Sequence, residues 1–543
     1  MVKNLLKKIS IFSLLIAMLT LCITNTTANY VNLKEGDSNE EFLTFITAEG
    51  EVVTVDPDTK AKRITPQLEN VGAAASSLDV VRFTYYAGVT NYTDYNTGTA
   101  GYLSAGYIED AAFVKYEGDY VIAIMSGAKI KVAKDKVQVL PLSSTKSTSF
   151  YRKENGVLKH YIASDITQTT VPYANQVGPG LANMQENVKY FSYDGHYFWT
   201  DYSKMLSDYR AGTYGNSINN GNPYYNYFQF LSHRSYTAIN GPAIDYFVLS
   251  NIGSQRSVMN GQGQNFVDSQ NKYGTNALLM VGVAINESNW GTSSLALSKN
   301  NLFGHSAYDS NPNNATPYAN AKESINYHAS TYVSNYSKPT DWKYFGSHLG
   351  DKQSGMNIKY ASDPFWGEKA AHHAWSISNM YPYMSENTKY SIGIKSSADV
   401  VNVRNNANTS SSILYNTKNT MNYPVVITGT SGAWYKINSD YPLNSGRTAL
   451  GTSPDYSTSR DYAYIHGDYV FKANTGGTVT QPTNKKGDVN MDGTINILDM
   501  YLVRKHIVKT ATLTGEQFKL ADISGDNVVN ILDMYQIRKI FVK

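Results

Sequence analysis

The sequence predicts a multidomain chain. A mainly helical α+β domain over 180–385 is flanked by small all-β barrels at 79–142 and 391–472, and a short helical module closes the chain at 487–543. Three observations carry this. The 543 residues exceed one hydrophobic core, since domains run to roughly 100–200 residues. Apolar residues alternate with period two in both flanks but follow helical periods between them. Near the end, a loop with oxygen-bearing side chains on alternate residues recurs, its first residue moving from Asp488 to Asp522.

Composition excludes several classes. Hydrophobic residues make up 42% of the chain, enough for real cores, so wholesale disorder is excluded. A net charge of +3 without a basic stripe argues against a nucleic-acid partner. The 44 tyrosines and 40 glycines suit surfaces that grip polar polymers such as glycans, where an aromatic face stacks and a hydroxyl bonds.

Lys3, Lys7 and Lys8 precede an apolar stretch from Ile9 to Cys22, and small residues lead to Ala28. This reads as a secretory signal peptide over 1–28, with no membrane partner after cleavage. Leu21 stands before Cys22 where a lipoprotein signal needs a small residue, so lipidation is not expected. Cys22 is the only cysteine, so the mature domains stand on their cores or on metal rather than on disulfides. Residues 29–78 are polar with weak strand runs such as Glu51 to Val55. Short strands with turns at 96–98 and 104–106 fill 79–142. A β-hairpin module at 148–165 turns at Asn155-Gly156. After the second barrel, 473–486 reads as a flexible polar linker.

In the helical domain, Asn276 to Asn286 is a continuous apolar run too long for a strand. It predicts a buried helix capped by Thr275 or Asn276. Glu287 follows at its C-terminal end, with Trp290 close by. Desolvation and the negative helix end favour the protonated carboxyl, which suits a glycosidase general acid. The bland alternative is an exposed helix-end residue. The adjacent His372 and His373 point to different helix faces and no HExxH motif exists, so no catalytic metal is expected.

The stretch 284–296 around Glu287, Asn300 to Gly304, Ala307 to Ser310 and Tyr360 to Asp363 resemble the glucosaminidase domain of glycoside hydrolase family 73 over roughly 255–381. The resemblance implies a lysozyme-like fold. It implies cleavage of peptidoglycan β-1,4 bonds after N-acetylglucosamine, with Glu287 as general acid. It offers Asp309 as water activator, in a hairpin lobe over the cleft, or as a turn-former. Asp363 is a second candidate, or a helix cap with Pro364 at the first helical position. Tyr360 would orient the substrate N-acetyl group, and Trp290, Phe303 and Trp366 would stack on sugars or fill the core. Glu323 reads as charge complementarity at a helix start. Tyr193 to Trp199 and Pro223 to Tyr227, preceded by a barrel and a hairpin, are similar to the extended pneumococcal-type form of this domain. Competing substrates are chitin or N-glycans, competing reactions those of a muramidase or lytic transglycosylase, and the competing class a non-catalytic wall-binding adaptor.

Val401 to Arg404, Trp434 to Ile437, Ala463 to His466 and Tyr469-Val470 resemble a bacterial SH3-like domain, a wall-peptide binder or a spacer. The first barrel is read as SH3-like as well. The long connection from Asp440 to Asp461 puts the usual binding groove in doubt. The C-terminal repeat places Asp488, Asn490, Asp492, Thr494 and Asp499, then Asp522, Ser524, Asp526, Val528 and Asp533, at calcium-loop positions. Gly493 and Asn527 take the turn position. With Asp at position twelve and one helix after each loop, the segment resembles a type I dockerin. That implies two structural calcium ions and a cohesin module of a scaffold protein as partner. Ile497, Leu498, Arg504, Lys505, Ile531, Leu532, Arg538 and Lys539 would form two near-identical docking faces. The resulting expectation is a secreted, extracellular, scaffold-tethered enzyme.

Overall fold

The computed structural model describes residues 43–48, 50–55, 78–86, 88–306, 315–477, 485–491 and 494–542. The expected signal peptide, Asp309 and its lobe, Asp492 and Gly493 lie outside the described residues.

An antiparallel hairpin pairs Leu43–Ile46 with Val52–Val55. A seven-stranded antiparallel sheet follows. Its order is Ala100–Leu103, Thr90–Asp94, Ala128–Ala133, Tyr120–Met125, Asp110–Glu117, Val80–Phe83, Val137–Leu140. Both faces are covered. Val81, Val121 and Ile130 fill the sheet's own core, while Val80, Ile122 and Ile124 meet Trp199 and Met205. The second face rests on helix α1 (Tyr202–Ala211), which explains why strand Val80–Phe83 is buried at every position. The hairpin Phe150–Glu154/Val157–Ile162 turns at Asn155 and Gly156, both with positive φ, as a two-residue turn requires. Strands Tyr173–Pro179 and Lys189–Tyr190 extend it to four strands.

The helical domain contains α2 (Gly241–Ile252), α3 (Gly263–Tyr273), α4 (Ala277–Ser288), α5 (Ala321–Tyr327) and α6 (Trp366–Met380). Helix α4 is buried along its whole length, which is why its sequence lacks a polar face. It lies against α6 so closely that a Cβ on Gly282 would sit 2.2 Å from the Ala370 carbonyl oxygen. Glu323 lies in the first turn of α5, exposed, and accepts from Ala319 N.

A second seven-stranded sheet runs Ile413–Asn416, Asn402–Arg404, Tyr462–His466, Trp434–Asn438, Tyr423–Ser431, Ser391–Lys395, Phe471–Lys472. The long connection after Asp440 anchors this sheet to the helical domain. The buried Arg234 donates to Asp440 O and Tyr273 O, and Tyr344 and Tyr423 donate to the Asp440 carboxyl. The linker also departs from expectation: Tyr225 N donates to Asn474 O and Gly477 N to Gly180 O, so residues 473–477 are tied down rather than free.

At the C-terminus, α7 (Ile497–Ile507), α8 (Gly515–Ala521) and α9 (Ile531–Phe541) enclose a small core of Val503, Leu513 and Ile537. Helix α8 is additional to the one helix expected after each loop. Among the described residues, no helix is long and apolar enough to cross a membrane.

Candidate active site

Helix α4 begins where Asn276 Oδ1 accepts the amides of Leu278 and Leu279, at 2.9 and 3.4 Å. Its side chain thereby satisfies two amides that the first turn leaves open. At the other end Asn289, Trp290 and Gly291 take φ of 47°, 62° and 71°. This left-handed turn is uncommon for a Trp. It sets the Trp290 ring against Phe247 and His373.

Glu287 is 4% exposed at the end of α4. The indole facing it is that of Trp366, not the sequence neighbour Trp290: Trp366 Nε1 donates to Glu287 Oε1 at 2.5 Å. Trp366 is the first residue of α6. Gly367 lets that turn approach the chain, because a Cβ there would meet Gly350 O at 2.1 Å. Tyr360 stacks on Trp366 with centroids 4.4 Å apart, and its hydroxyl donates to Phe303 O. Phe303 lies flat on His328 at 3.8 Å. Tyr360, Phe303 and Trp366 are all buried in the domain's core, Tyr360 against Trp366 and Phe303 against His328. His305 bonds His328 at 3.1 Å, and burial pulls His305 down to about 3, so this histidine is neutral near pH 7.

Asp363 is buried. One oxygen accepts Phe365 N at 2.8 Å and the other pairs with the Lys369 ammonium. The expected cap geometry is corrected here: α6 starts at Trp366, two residues past Pro364, so Asp363 secures the preceding turn instead of capping the helix. Lys369 also donates to Thr44 O, and Thr44 Oγ1 donates to Asn286 O. The N-terminal hairpin, whose sequence suggested no role, thus touches the residue beside Glu287. Nothing in the local sequence signals either Thr44 or Lys369.

In the C-terminal module, Asp488, Asn490 and Asp499 are buried and Thr494 is exposed. Asp499 and Asp533 each close a capping box with Asn496 and Asn530. Asp522 accepts the amides of Gly525, Asp526 and Asn527 and the Ser524 hydroxyl. Desolvation raises its carboxyl, but these hydrogen bonds outweigh that and hold it below the ordinary value. Asn527 takes the left-handed φ of 63° expected of it. Ser524, Asp526 and Val528 are exposed and Asp533 is buried. All donors are oxygens in a tightly turned loop, which fits a hard cation. Of the docking residues, Ile497, Arg504, Ile531, Leu532, Arg538 and Lys539 are exposed, Lys505 half-buried and Leu498 buried.

Residues 263–379 match the family described as Mannosyl-glycoprotein endo-beta-N-acetylglucosaminidase, and residues 486–541 match the Dockerin type I domain. The chain is 28% identical over 304 residues to a "Putative endo-beta-N-acetylglucosaminidase" of Streptococcus pneumoniae, covering 55% of this chain and 38% of that protein. It is 29% identical over 174 residues to a Beta-N-acetylglucosaminidase of Bacillus subtilis, covering 28% of this chain and 19% of that one. The chain thus spans less than two fifths of these relatives' lengths. The crystal structure of S. aureus Autolysin E aligns at 18% identity and a TM-score of 0.23, over 29% of this chain and 73% of that one. The segment that ends α4 in a buried Glu287 is therefore a domain of the endo-β-N-acetylglucosaminidase family of glycoside hydrolases, and the repeat behind it is a type I dockerin domain.

Proposed function

We propose that this chain is a secreted endo-β-N-acetylglucosaminidase that hydrolyses peptidoglycan β-1,4 bonds on the reducing side of N-acetylglucosamine. The observation that carries the reading is Glu287, a buried carboxyl at the end of a buried helix inside the matched segment, oriented by one indole N–H. Glu287 protonates the leaving oxygen as general acid. Trp366 orients that carboxyl, and Tyr360 braces Trp366. Both Asp363 oxygens are engaged by Lys369 and Phe365 N, which favours Asp309 or the substrate's own acetamido group in the second role.

The dockerin attaches the enzyme to a cohesin module of an extracellular scaffold. Asp488, Asn490, Asp492, Thr494 and Asp499, with Asp522, Ser524, Asp526, Val528 and Asp533, would hold two structural calcium ions. The second sheet is read as an SH3-like wall-peptide binder. Its support is a hollow of about 320 Å³ lined by Arg404, Trp434, His466, Asp468 and Tyr469. No residue of the 440–461 connection lines that hollow.

Mass spectrometry of borohydride-reduced products from a peptidoglycan digest tests the activity. Glucosaminitol ends are expected. Muramitol or anhydro ends would move the cut to the other bond. Absence of product would overturn the substrate, and chitin and N-glycans would be assayed next.

A further inference from the structure

Apart from Glu287, the first sheet, the 194–225 segment and the second sheet meet around a groove of about 840 Å³. That size falls in the roughly 300–1,000 Å³ range of ligand sites. Tyr214 lies flat on Tyr197, centroids 3.8 Å apart at 14°, and remains 39% exposed. Phe471, from the last strand of the second sheet, is 37% exposed and 6.1 Å from the Tyr225 ring. The groove therefore has two aromatic groups with exposed surface, contributed by different parts of the chain.

The same groove is lined by a hydrogen-bonded polar network. Tyr225 donates to Asn422 Oδ1 at 2.9 Å. Asn422 Nδ2 donates to Gln353 Oε1 at 2.7 Å and lies 3.2 Å from His196 Nε2. Asp194 also lines the groove. Its Oδ1 accepts Ser192 Oγ and the amides of His196 and Tyr197, while its buried Oδ2 has no partner among the described residues. Asp194 borders a second, smaller cavity of about 30 Å³, room for a water or two. Burial pushes its carboxyl up. Asn419 Nδ2 donates to Thr97 O and bridges the two sheets, so the groove is held by contacts between parts of the chain distant in sequence.

Exposed aromatic faces beside amides suit pyranose rings, whose C–H faces stack while hydroxyl and acetamido groups hydrogen-bond. We propose that this groove binds a second stretch of N-acetylhexosamine glycan, separate from the segment at Glu287. The occupant rests on the glycan reading of the substrate given above.

The test uses the full chain carrying Glu287→Gln, titrated calorimetrically with an N-acetylglucosamine tetramer and with soluble peptidoglycan strands. Two binding events per chain are expected. Adding Tyr214→Ala weakens one of them about tenfold or more. Adding Phe471→Ala, on the last strand of the second sheet, does the same, and unchanged thermal melting confirms that each variant folds. A single event in the parent, or two events untouched by both variants, overturns the groove while leaving wild-type cleavage to support the enzyme. Absence of binding, with wild-type cleavage of neither glycan, overturns the substrate reading and the groove's occupant with it.

Discussion

Leu498 and Leu532 hold the same place in two copies of one repeat, yet Leu498 is 5% exposed and Leu532 60%. Neither belongs to the module's own apolar core. The first copy lies against the catalytic domain: Tyr501 stacks on Tyr246 at 6.0 Å, and Asn490 Nδ2 donates to Met380 O. The corresponding Tyr535 of the second copy is exposed. Two faces that are almost equal in sequence are therefore unequal in access. In a cohesin-binding assay on the full chain, Leu532→Ala is expected to weaken binding by about thirtyfold, the scale of an interface hot spot. Leu498→Ala is expected to cost far less. Equal losses would show that the first face is as available as the second.

Glu287→Gln is expected to lower turnover by about 10²–10⁴-fold, the usual share of a general acid, with an unchanged melting temperature. Trp366→Phe keeps most of the ring packing but removes the N–H that orients the carboxyl. Its expected signature is a fall in kcat with little change in KM. The reverse split would assign Trp366 to substrate binding.

Gly282→Ala forces a methyl against the Ala370 carbonyl, where α4 and α6 touch. Overpacking of this kind costs about 1–3 kcal/mol. Urea denaturation should show that loss. A neutral result would mean the two helices separate easily, which the burial of α4 does not suggest.

Burial pulls His233, His305, His348 and His372 down to about 3. Unfolded, each ionises near pH 6.5. Below that pH the unfolded chain binds protons that the folded chain excludes, so stability falls. Asp351 and Asp440, pushed up to about 6 by burial, act oppositely: the folded chain protonates them first as pH drops through 6. Each fully differing group is worth about 1.4 kcal/mol per pH unit, and the histidines outnumber these carboxyls. Thermal melts should show a lower Tm at pH 5 than at pH 7, and a rising Tm would contradict this.

Calcium removal by a chelator is expected to reduce order in 487–541 and abolish cohesin binding, because loop carboxylates crowded without a cation repel one another. Circular dichroism and a binding assay report the two losses. The proposed glycosidase activity should persist, because Glu287 belongs to the helical domain, whose apolar core is distinct from that of the C-terminal module.

Much of the local architecture was legible in residue order. Helix α4, its cap at Thr275 or Asn276 and Glu287 at its end follow from an apolar run bounded by a cap and a turn, and the structure decides for Asn276. The hairpin at Asn155-Gly156 and the left-handed Asn527 follow from residues that accept positive φ. These features are encoded within a few neighbouring positions, so local periodicity and turn chemistry suffice. Tertiary structure alone decided which Trp serves Glu287. The left-handed turn carries adjacent Trp290 away to Phe247, while Trp366 arrives from another helix. It likewise put Thr44 beside Asn286 and made Asp440 an anchor. The two dockerin helices make the division plain. Their sequences specify nearly the same helix twice, but exposure depends on what lies across from each, and the first copy has the helical domain as its neighbour through Tyr246.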